Sequence, residues 1–423
     1  MKGSYSSESH LDVRMLLYRS AGHFAIMTWS KERDKKEMRQ MKLHGAIAAA
    51  AILGLLATGS RAQSSPWEKI RLGEQLQSLK FGGDLRLRNE NFDRRGLNAV
   101  DRNRSRFRLR LGAEAQLPHD LLVNLRLGSG TGEQVSTNQS FDNLSSQKEI
   151  WIDQVSLRWS PRLAAGLSTK LEGGRMPNPF WRTYTSDLVW DDDLNPEGFA
   201  QSLKWMLGGN VRLFGNMLQM VADEDSGTTS DQWMFGQQLG ADFMTGDLRW
   251  KLAGAYYGWT HANASTLSQA ITLEGNRRSG GVLTNRFGVG EATAELGYRL
   301  MEVPISLQGT FIKNLRARDI TPKEDTGYQM GGRIGKAAAP GSVELAYFFK
   351  WVEMDATVAD VADADFGDGG TNRKGHILWA AYNPQEWLQF KLKYFITQVL
   401  NRNLAASTAH DINRLQADLS VKF

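Results

Sequence analysis

The most regular run of arginines in the sequence is RNRSRFRLRL, residues 102–111. Its arginines alternate with uncharged residues over most of the run: Arg104, Arg106, Arg108 and Arg110. Arginine clusters can bind the phosphates of nucleic acids, but a two-residue period puts every second side chain on one face of an extended strand. The run therefore predicts a row of guanidinium groups along one strand, and we expect no nucleic-acid partner. Such a row attracts anions.

Basic residues continue with the same alternation in other predicted strands. We expect twelve of them to line a water-filled interior together with the arginine row: Arg86, Arg88, Arg126, Arg158, Arg249, Lys251, Arg299, Arg333, Lys350, Lys391, Lys393 and Arg414. Acidic residues such as Glu172 and Glu344 share this face. Two interpretations stay open: the charges pair with one another and keep the interior wet, or the basic excess favours anionic solutes. For the arginine row as a group we favour conduction.

A second cluster is acidic and lies in the predicted loop 177–197. Its members are Asp187, Asp191, Asp192, Asp193 and Glu197. Three explanations compete: a loop folded inward that narrows a pore opposite the basic residues, an external contact with divalent cations or lipopolysaccharide, and a solvated loop. The spacing of the oxygens matches no calcium-binding loop. We expect neither a metal site nor a cofactor.

Composition argues against most enzyme chemistry. Cysteine is absent, which excludes disulfides, thiolate metal sites and cysteine nucleophiles. A membrane protease or phospholipase would need a histidine with a Ser, Asn or acidic partner at a rim. Only His261, His376 and His410 could reach such a rim, and none lies in a recognisable motif. The sequence therefore predicts that the chain is not an enzyme.

The N-terminal residues are predicted to lie outside the fold. Residues 41–62 have a basic start, an apolar core and a small-residue exit, which is the pattern of a secretory signal peptide cleaved before Gln63. Residues 1–40 are interpreted as an extension that precedes the true start at Met41. Residues 63–78 are expected to form a short periplasmic lead-in.

The rest of the chain, residues 79–423, alternates with period two and predicts an all-β, antiparallel transmembrane β-barrel of about 16 strands. Long and short connections alternate, as in a barrel inserted from one side of a membrane. The mean hydropathy of −0.41 fits strands better than membrane helices.

Aromatic residues near the short turns, such as Trp159, Trp205, Trp250, Tyr382 and Trp387, are interpreted as an interfacial girdle. The predicted strands are 79–92, 103–117, 120–129, 148–160, 167–176, 198–208, 210–222, 232–245, 247–260, 286–300, 303–315, 326–338, 341–353, 374–383, 386–400 and 412–423.

The last nine residues, LQADLSVKF, end the chain on an aromatic residue. Their apolar side chains fall on one face, and Leu419, Val421 and Phe423 close the series. A strictly alternating strand that ends on Phe resembles the closing strand of outer-membrane barrels. That resemblance implies that these three residues form the signal that the barrel assembly machinery recognises.

Three blocks carry a closer resemblance: FGGDLRLRNENF (81–92), GGRMPNPFW (173–181) and DLVWDDDLNPEGFA (187–200). They resemble the bacterial putative-porin family. The resemblance implies a cell outer-membrane location among lipid and lipopolysaccharide, passage of small hydrophilic solutes, and no catalytic residues. The basic excess of the inner face adds the expectation that these solutes are anionic. It permits a homotrimer. Two alternatives stay open: a specific channel or exporter for an acidic oligosaccharide, and a non-conducting structural or adhesive barrel.

Overall fold

The computed structural model describes residues 75–183, 186–224, 226–227, 231–262, 275–279, 282–318, 320–405 and 409–423. The predicted extension 1–40, the signal peptide 41–62 and lead-in residues 63–74 lie outside the described residues. No helix within the described ranges is long and apolar enough to cross a membrane.

Sixteen long strands in the described residues form one antiparallel sheet in which each strand pairs with its sequence neighbours. The first and last strands also pair, from Asp84 opposite Lys422 to Arg95 opposite Asp411, so the sheet closes into a barrel. This confirms the predicted fold class and strand number. The strands are β1 (Ser78–Arg95), β2 (Arg102–Leu117), β3 (Leu121–Ser129), β4 (Ile150–Trp159), β5 (Leu167–Arg175), β6 (Glu197–Leu207), β7 (Val211–Asp223), β8 (Gln232–Thr245), β9 (Leu248–Trp259), β10 (Gly288–Leu300), β11 (Val303–Asn314), β12 (Thr326–Gly335), β13 (Ser342–Val352), β14 (Arg373–Gln385), β15 (Leu388–Val399) and β16 (Asp411–Lys422).

Connections differ between the two ends of the barrel. The seven at one end span two to seven residues, whereas the eight at the other end include 130–149, 176–196, 260–287 and 353–372. The longer ones contain short elements: Gln139–Ser140 pairs with β2, Arg278–Ser279 pairs with Val282–Leu283, and Ala359–Val361 forms a 3₁₀ turn. Closure leaves the sixteen long strands without a free edge, because each of them has two partners.

The register sorts side chains onto two faces around the barrel. Residues directly opposite each other on paired strands share a face, so Arg88, opposite both Arg106 and Asp418, defines the inner face. On the outer face, apolar residues such as Leu203 and Leu239 remain exposed. Trp159, Trp205, Trp250 and Tyr382 share that outer face. Trp387 does not, since it borders an inner cavity, which corrects its assignment to the girdle.

Part of the barrel interior is filled by a hydrophobic cluster. Phe180 and Trp190 from loop 176–196 pack on Tyr257 of β9, with ring centroids 5.0 and 5.3 Å from the tyrosine ring. Gly236 of β8 makes room for Phe180, since a Cβ there would lie 2.4 Å from its ring. Each buried aromatic contributes about 1.5–3 kcal/mol of transfer free energy. The lumen is therefore narrower than sixteen strands alone would make it.

The pairing of β16 with β1 continues beyond Lys422 to the last residue, Phe423. The Phe423 amide donates to the Gly83 carbonyl at 3.0 Å, and the Gly83 amide donates to the Phe423 carbonyl at 2.8 Å. A Cβ on Gly83 would lie 2.9 Å from the Phe423 ring, so the glycine lets the ring cross β1.

Deletion of Phe423 should impair assembly of the barrel, because it removes both closing hydrogen bonds and the terminal ring. The fraction of folded protein in outer membranes, read from the heat-dependent shift on a gel, should fall several-fold. Lys422→Gln, which keeps the backbone pairing, serves as the control. Normal insertion of the deletion variant would count against this role for Phe423.

Candidate functional site

The basic wall of the lumen is formed by β1, β2 and β16. The register places Arg86 opposite Arg108, Arg88 opposite Arg106, and Glu90 opposite Arg104. All of these residues lie on the inner face, and the strand pairings around the barrel place the other predicted lining residues on the same face. Like charges side by side on paired strands repel, so the wall requires carboxylates nearby.

Carboxylates within the wall neutralise much of the arginine row. Asp84 accepts from Arg108 at 2.9 Å and from Arg110 at 2.7 Å. Glu90 is fully buried and pairs with Arg104 and Arg414. The row is therefore a mixed ion-pair network and not a bare line of positive charge.

The acidic loop 176–196 folds into the lumen. Trp181 exchanges two backbone hydrogen bonds of 2.8 Å with the Gln238 side chain on β8. Asp193 reaches the wall, 3.5 Å from Arg108 and 3.7 Å from Arg110. Arg182 of the same loop holds Asp192 at 2.8 Å and Asp187 at 3.5 Å.

Glu197 lies outside this loop, contrary to its assignment as a constriction residue. It begins β6 and accepts from Arg175 at 2.8 Å. Because Ala200 shares the inner face with Glu172, the odd-numbered Glu197 points outward.

A second inward loop, residues 353–372, was not singled out by the sequence. Residues 354–363 are all buried. Asp365 bridges the wall, with oxygens 3.1 Å from Arg88 and 2.8 Å from Arg414. Asp363 accepts from the buried Lys350 at 2.7 Å. The four aspartates in ADVADADFGDGG, residues 359–370, are the signal that could have identified it.

Within the described residues, loops 176–196 and 353–372 contact each other through three hydrogen bonds, each donated by a backbone amide. The Asp191 amide donates to the Val361 carbonyl at 2.8 Å, and the Ala364 amide donates to the Asp191 carboxylate at 2.8 Å. The Asp363 amide donates to the Asp187 carbonyl at 3.2 Å. Together they form one partition across the lumen, and each loop restrains the other.

The loop carboxyls divide into two classes. Burial, and then the neighbouring Asp192 and Asp363, raises the pKa of Asp187 to about 8. Burial and Asp193 likewise raise the pKa of Asp191 well above its usual range. Burial would also raise the pKa of Asp365, but Arg414 and Arg88 outweigh it and hold that pKa well below the ordinary value. At neutral pH, Asp365 therefore carries its charge, whereas Asp187 is largely protonated.

Most of the other predicted lining residues have specific partners on the inner face. Arg126 pairs with Asp153 at 2.5 Å, Arg158 with Glu172 at 3.1 Å, and Arg333 with Glu344 at 3.6 Å. Arg249 pairs with Asp242 at 2.6 Å. Arg299 is largely exposed beside Glu302 in the 301–302 turn, at the end of the barrel away from the two loops.

Three lysines on the inner face lie over aromatic rings. The Nζ atoms of Lys251, Lys391 and Lys393 lie 4.3 to 4.7 Å from ring centroids.

Within the described residues, no group of three or more His, Asp or Glu side chains could hold a metal ion.

A cavity of about 480 Å³ lies between the wall and the two loops. It is bordered by the arginine row, by Asp191 to Asp193, by Asp363 to Asp365, and by Lys391, Lys393 and Lys422. Its lining is charged on opposite sides, so a polar solute inside it exchanges contacts with water for contacts with fixed charges.

Replacing Asp365 by Asn should weaken the attachment of loop 353–372 to the wall. The guanidinium groups of Arg88 and Arg414 would each lose a charged partner while remaining buried, at a cost of about 1–3 kcal/mol. Denaturant unfolding followed by tryptophan fluorescence measures the loss. Asp142→Asn, which breaks an exposed pair with Lys148, should cost less than about 1 kcal/mol. Equal losses in the two variants would contradict a bridging role for Asp365.

The chain is similar to a known protein family. The family model described as putative porin matches residues 96–284 and 283–423, more than half of the chain. A comparison with curated protein sequences gives no match.

Among solved structures, the high-pH structure of Pseudomonas putida OprB is similar over 82% of this chain and 94% of that chain, with 13% identity and a TM-score of 0.52. A triple mutant of the Rhodopseudomonas blastica porin is similar over 82% of this chain and 100% of that chain, with 11% identity and a TM-score of 0.45. At such identities the likeness to OprB concerns the fold alone. The family match decides the identity: the chain belongs to the putative-porin family, as a porin-type channel of the outer membrane.

Proposed function

We propose that this porin-type channel passes small hydrophilic solutes and prefers anions modestly. The observation that carries the proposal is an uneven pairing of charges around the 480 Å³ cavity. Nine basic and eleven acidic residues border it, so the bare count does not favour anions. The arrangement of the charges decides instead.

Most of the acidic residues that border the cavity contribute little net charge, although Glu133 and Glu386 make no ion pair in the described ranges. Asp84, Asp365 and Asp418 each contact at least one arginine. Burial raises the pKa of Asp187 to about 8, so this carboxyl is mostly protonated at neutral pH, and burial raises the pKa of Asp191 as well. An ion pair or a protonated carboxyl contributes little net field at a distance.

Three basic residues on the other side of the cavity are charged and have no ion-pair partner within the described ranges. Arg86, Lys393 and Lys422 border the cavity, and none makes an ion pair within 4 Å with a carboxylate in the described ranges. Arg86 donates to the Asn138 amide oxygen at 2.6 Å, which fixes its position without neutralising it. These three residues, more than the paired arginine row, are proposed to set the preference for anions.

The surroundings of the channel are part of the same proposal. The exposed apolar outer face fits lipid, the outer loops fit contact with lipopolysaccharide, and the terminal strand fits recognition by the barrel assembly machinery through Leu419, Val421 and Phe423. We include a homotrimer in the proposal. Cross-linking of the purified barrel in detergent tests that assembly state.

The double variant Arg86→Gln with Lys393→Gln should lower the anion-to-cation permeability ratio about two-fold or more, because it removes two uncompensated charges from the cavity. Reversal potentials across planar bilayers under a KCl gradient measure the ratio. The charge-keeping variant Arg86→Lys with Lys393→Arg should retain it. An unchanged ratio in the glutamine variant contradicts the proposed basis of selectivity. A folded barrel that does not conduct contradicts the channel itself and supports a structural or adhesive barrel.

A further inference from the structure

A second cavity, of about 560 Å³, lies away from the arginine row. It is bordered by β5, β6, β7 and β9, by the short connection 160–166, and by residues 179–181 of the inward loop. Five basic residues and no acidic residue line it within the described ranges. The basic residues are Arg162, Lys170, Lys204, Arg212 and Lys251.

The nearest carboxylates already have basic partners. Glu172 is buried and accepts from Ser156 and Arg158, and Lys170 lies 3.1 Å from it. Asp242 is also buried and pairs with Arg212 and Arg249. Glu295 lies opposite Lys251 in the strand register, but the two are not within ion-pair distance.

Three of the basic residues have no carboxylate within ion-pair distance in the described residues, although Lys251 lies opposite Asp242 as well as Glu295 in the strand register. Arg162, Lys204 and Lys251 make no ion pair within 4 Å with a carboxylate of the part of the chain that the structure describes. Three cations around one cavity, whose nearest carboxylates already have basic partners, produce a positive potential there.

One side of the cavity is aromatic and fixed in place. Trp181 and Phe214 meet edge to face with ring centroids 6.0 Å apart. Lys251 lies over both rings, with Nζ 4.3 Å from the Trp181 centroid and 5.3 Å from that of Phe214. Gln238 anchors the Trp181 backbone, and Gly240 leaves space for Phe214, since a Cβ there would lie 2.2 Å from its ring. The rings are therefore held in position before any solute arrives.

We propose that this cavity is a binding site for a small aromatic carboxylate. The carboxylate would lie among Lys204, Lys251 and Arg162, while its ring packs against Trp181 and Phe214. An inorganic anion would leave the aromatic side unused, and a cation would be repelled. The proposal names a solute class for the channel and rests on the proposed function for its role in transport, but binding itself is measurable without conduction.

The test uses the refolded full barrel in detergent and titrates benzoate, acetate and inorganic phosphate by calorimetry. Benzoate should bind saturably and at least ten-fold more tightly than acetate or phosphate. Lys204→Gln and Lys251→Gln should each weaken benzoate binding about five-fold or more. Trp181→Leu should lower the affinity for benzoate to about the affinity for acetate. Lys148→Gln, which removes one charge from an outer loop, is the matched control and should bind as the parent does.

Benzoate binding that equals acetate or phosphate binding, or that survives Trp181→Leu, overturns the inference, as does the absence of benzoate binding. Heat-dependent gel migration verifies that each variant is folded. In bilayers, saturable block of the parent by benzoate supports the link to transport. An open channel without benzoate block contradicts that link and leaves the channel function standing, whereas a barrel that binds benzoate but never conducts contradicts the channel and leaves the site standing.

Discussion

The arrangement of the lumen depends on the need to pair charges that the barrel removes from bulk water. An arginine row on paired strands is stable only if carboxylates lie among the guanidinium groups. The wall supplies Asp84, Glu90 and Asp418 itself, and Asp365 arrives from a loop. Ion pairs between Asp365 and the buried arginines therefore stabilise the inward position of loop 353–372, and its backbone forms hydrogen bonds with loop 176–196.

This partition gives the two cavities different chemistry. One lies between the arginine row and the acidic loops, so opposite charges face each other across it. The other lies under residues 179–181 and has basic residues with an aromatic side. A solute in the first meets mixed charge, whereas a solute in the second meets positive charge and rings. The same inward loop borders both cavities, because its acidic half faces the wall and its aromatic half faces β7 to β9.

Local patterns in the sequence predict the barrel well, because two-residue alternation and turn spacing depend on neighbours in the chain. The sixteen strands and the inner parity of the arginine row follow from them. The pairing of Arg88 with Asp365 does not, since 277 residues separate the two and no local pattern links them. Glu197 and Trp387 were misassigned at strand ends: Glu197 is the first residue of β6 and not part of the loop, and Trp387 lies in the turn before β15, where proximity to a turn does not decide which way the side chain faces. The second cavity also depends on distant strands meeting across the barrel.

The inward position of loop 353–372 is the central claim, and the absence of cysteine in the chain makes it directly testable. Ala364→Cys places a thiol where the loop borders the first cavity, and Leu144→Cys places one on a fully exposed outer loop. A charged methanethiosulfonate reagent added to single channels should reduce the current stepwise in Ala364→Cys and leave Leu144→Cys unchanged. Complete labelling of Ala364→Cys, shown by mass spectrometry, with no change in current would contradict the account.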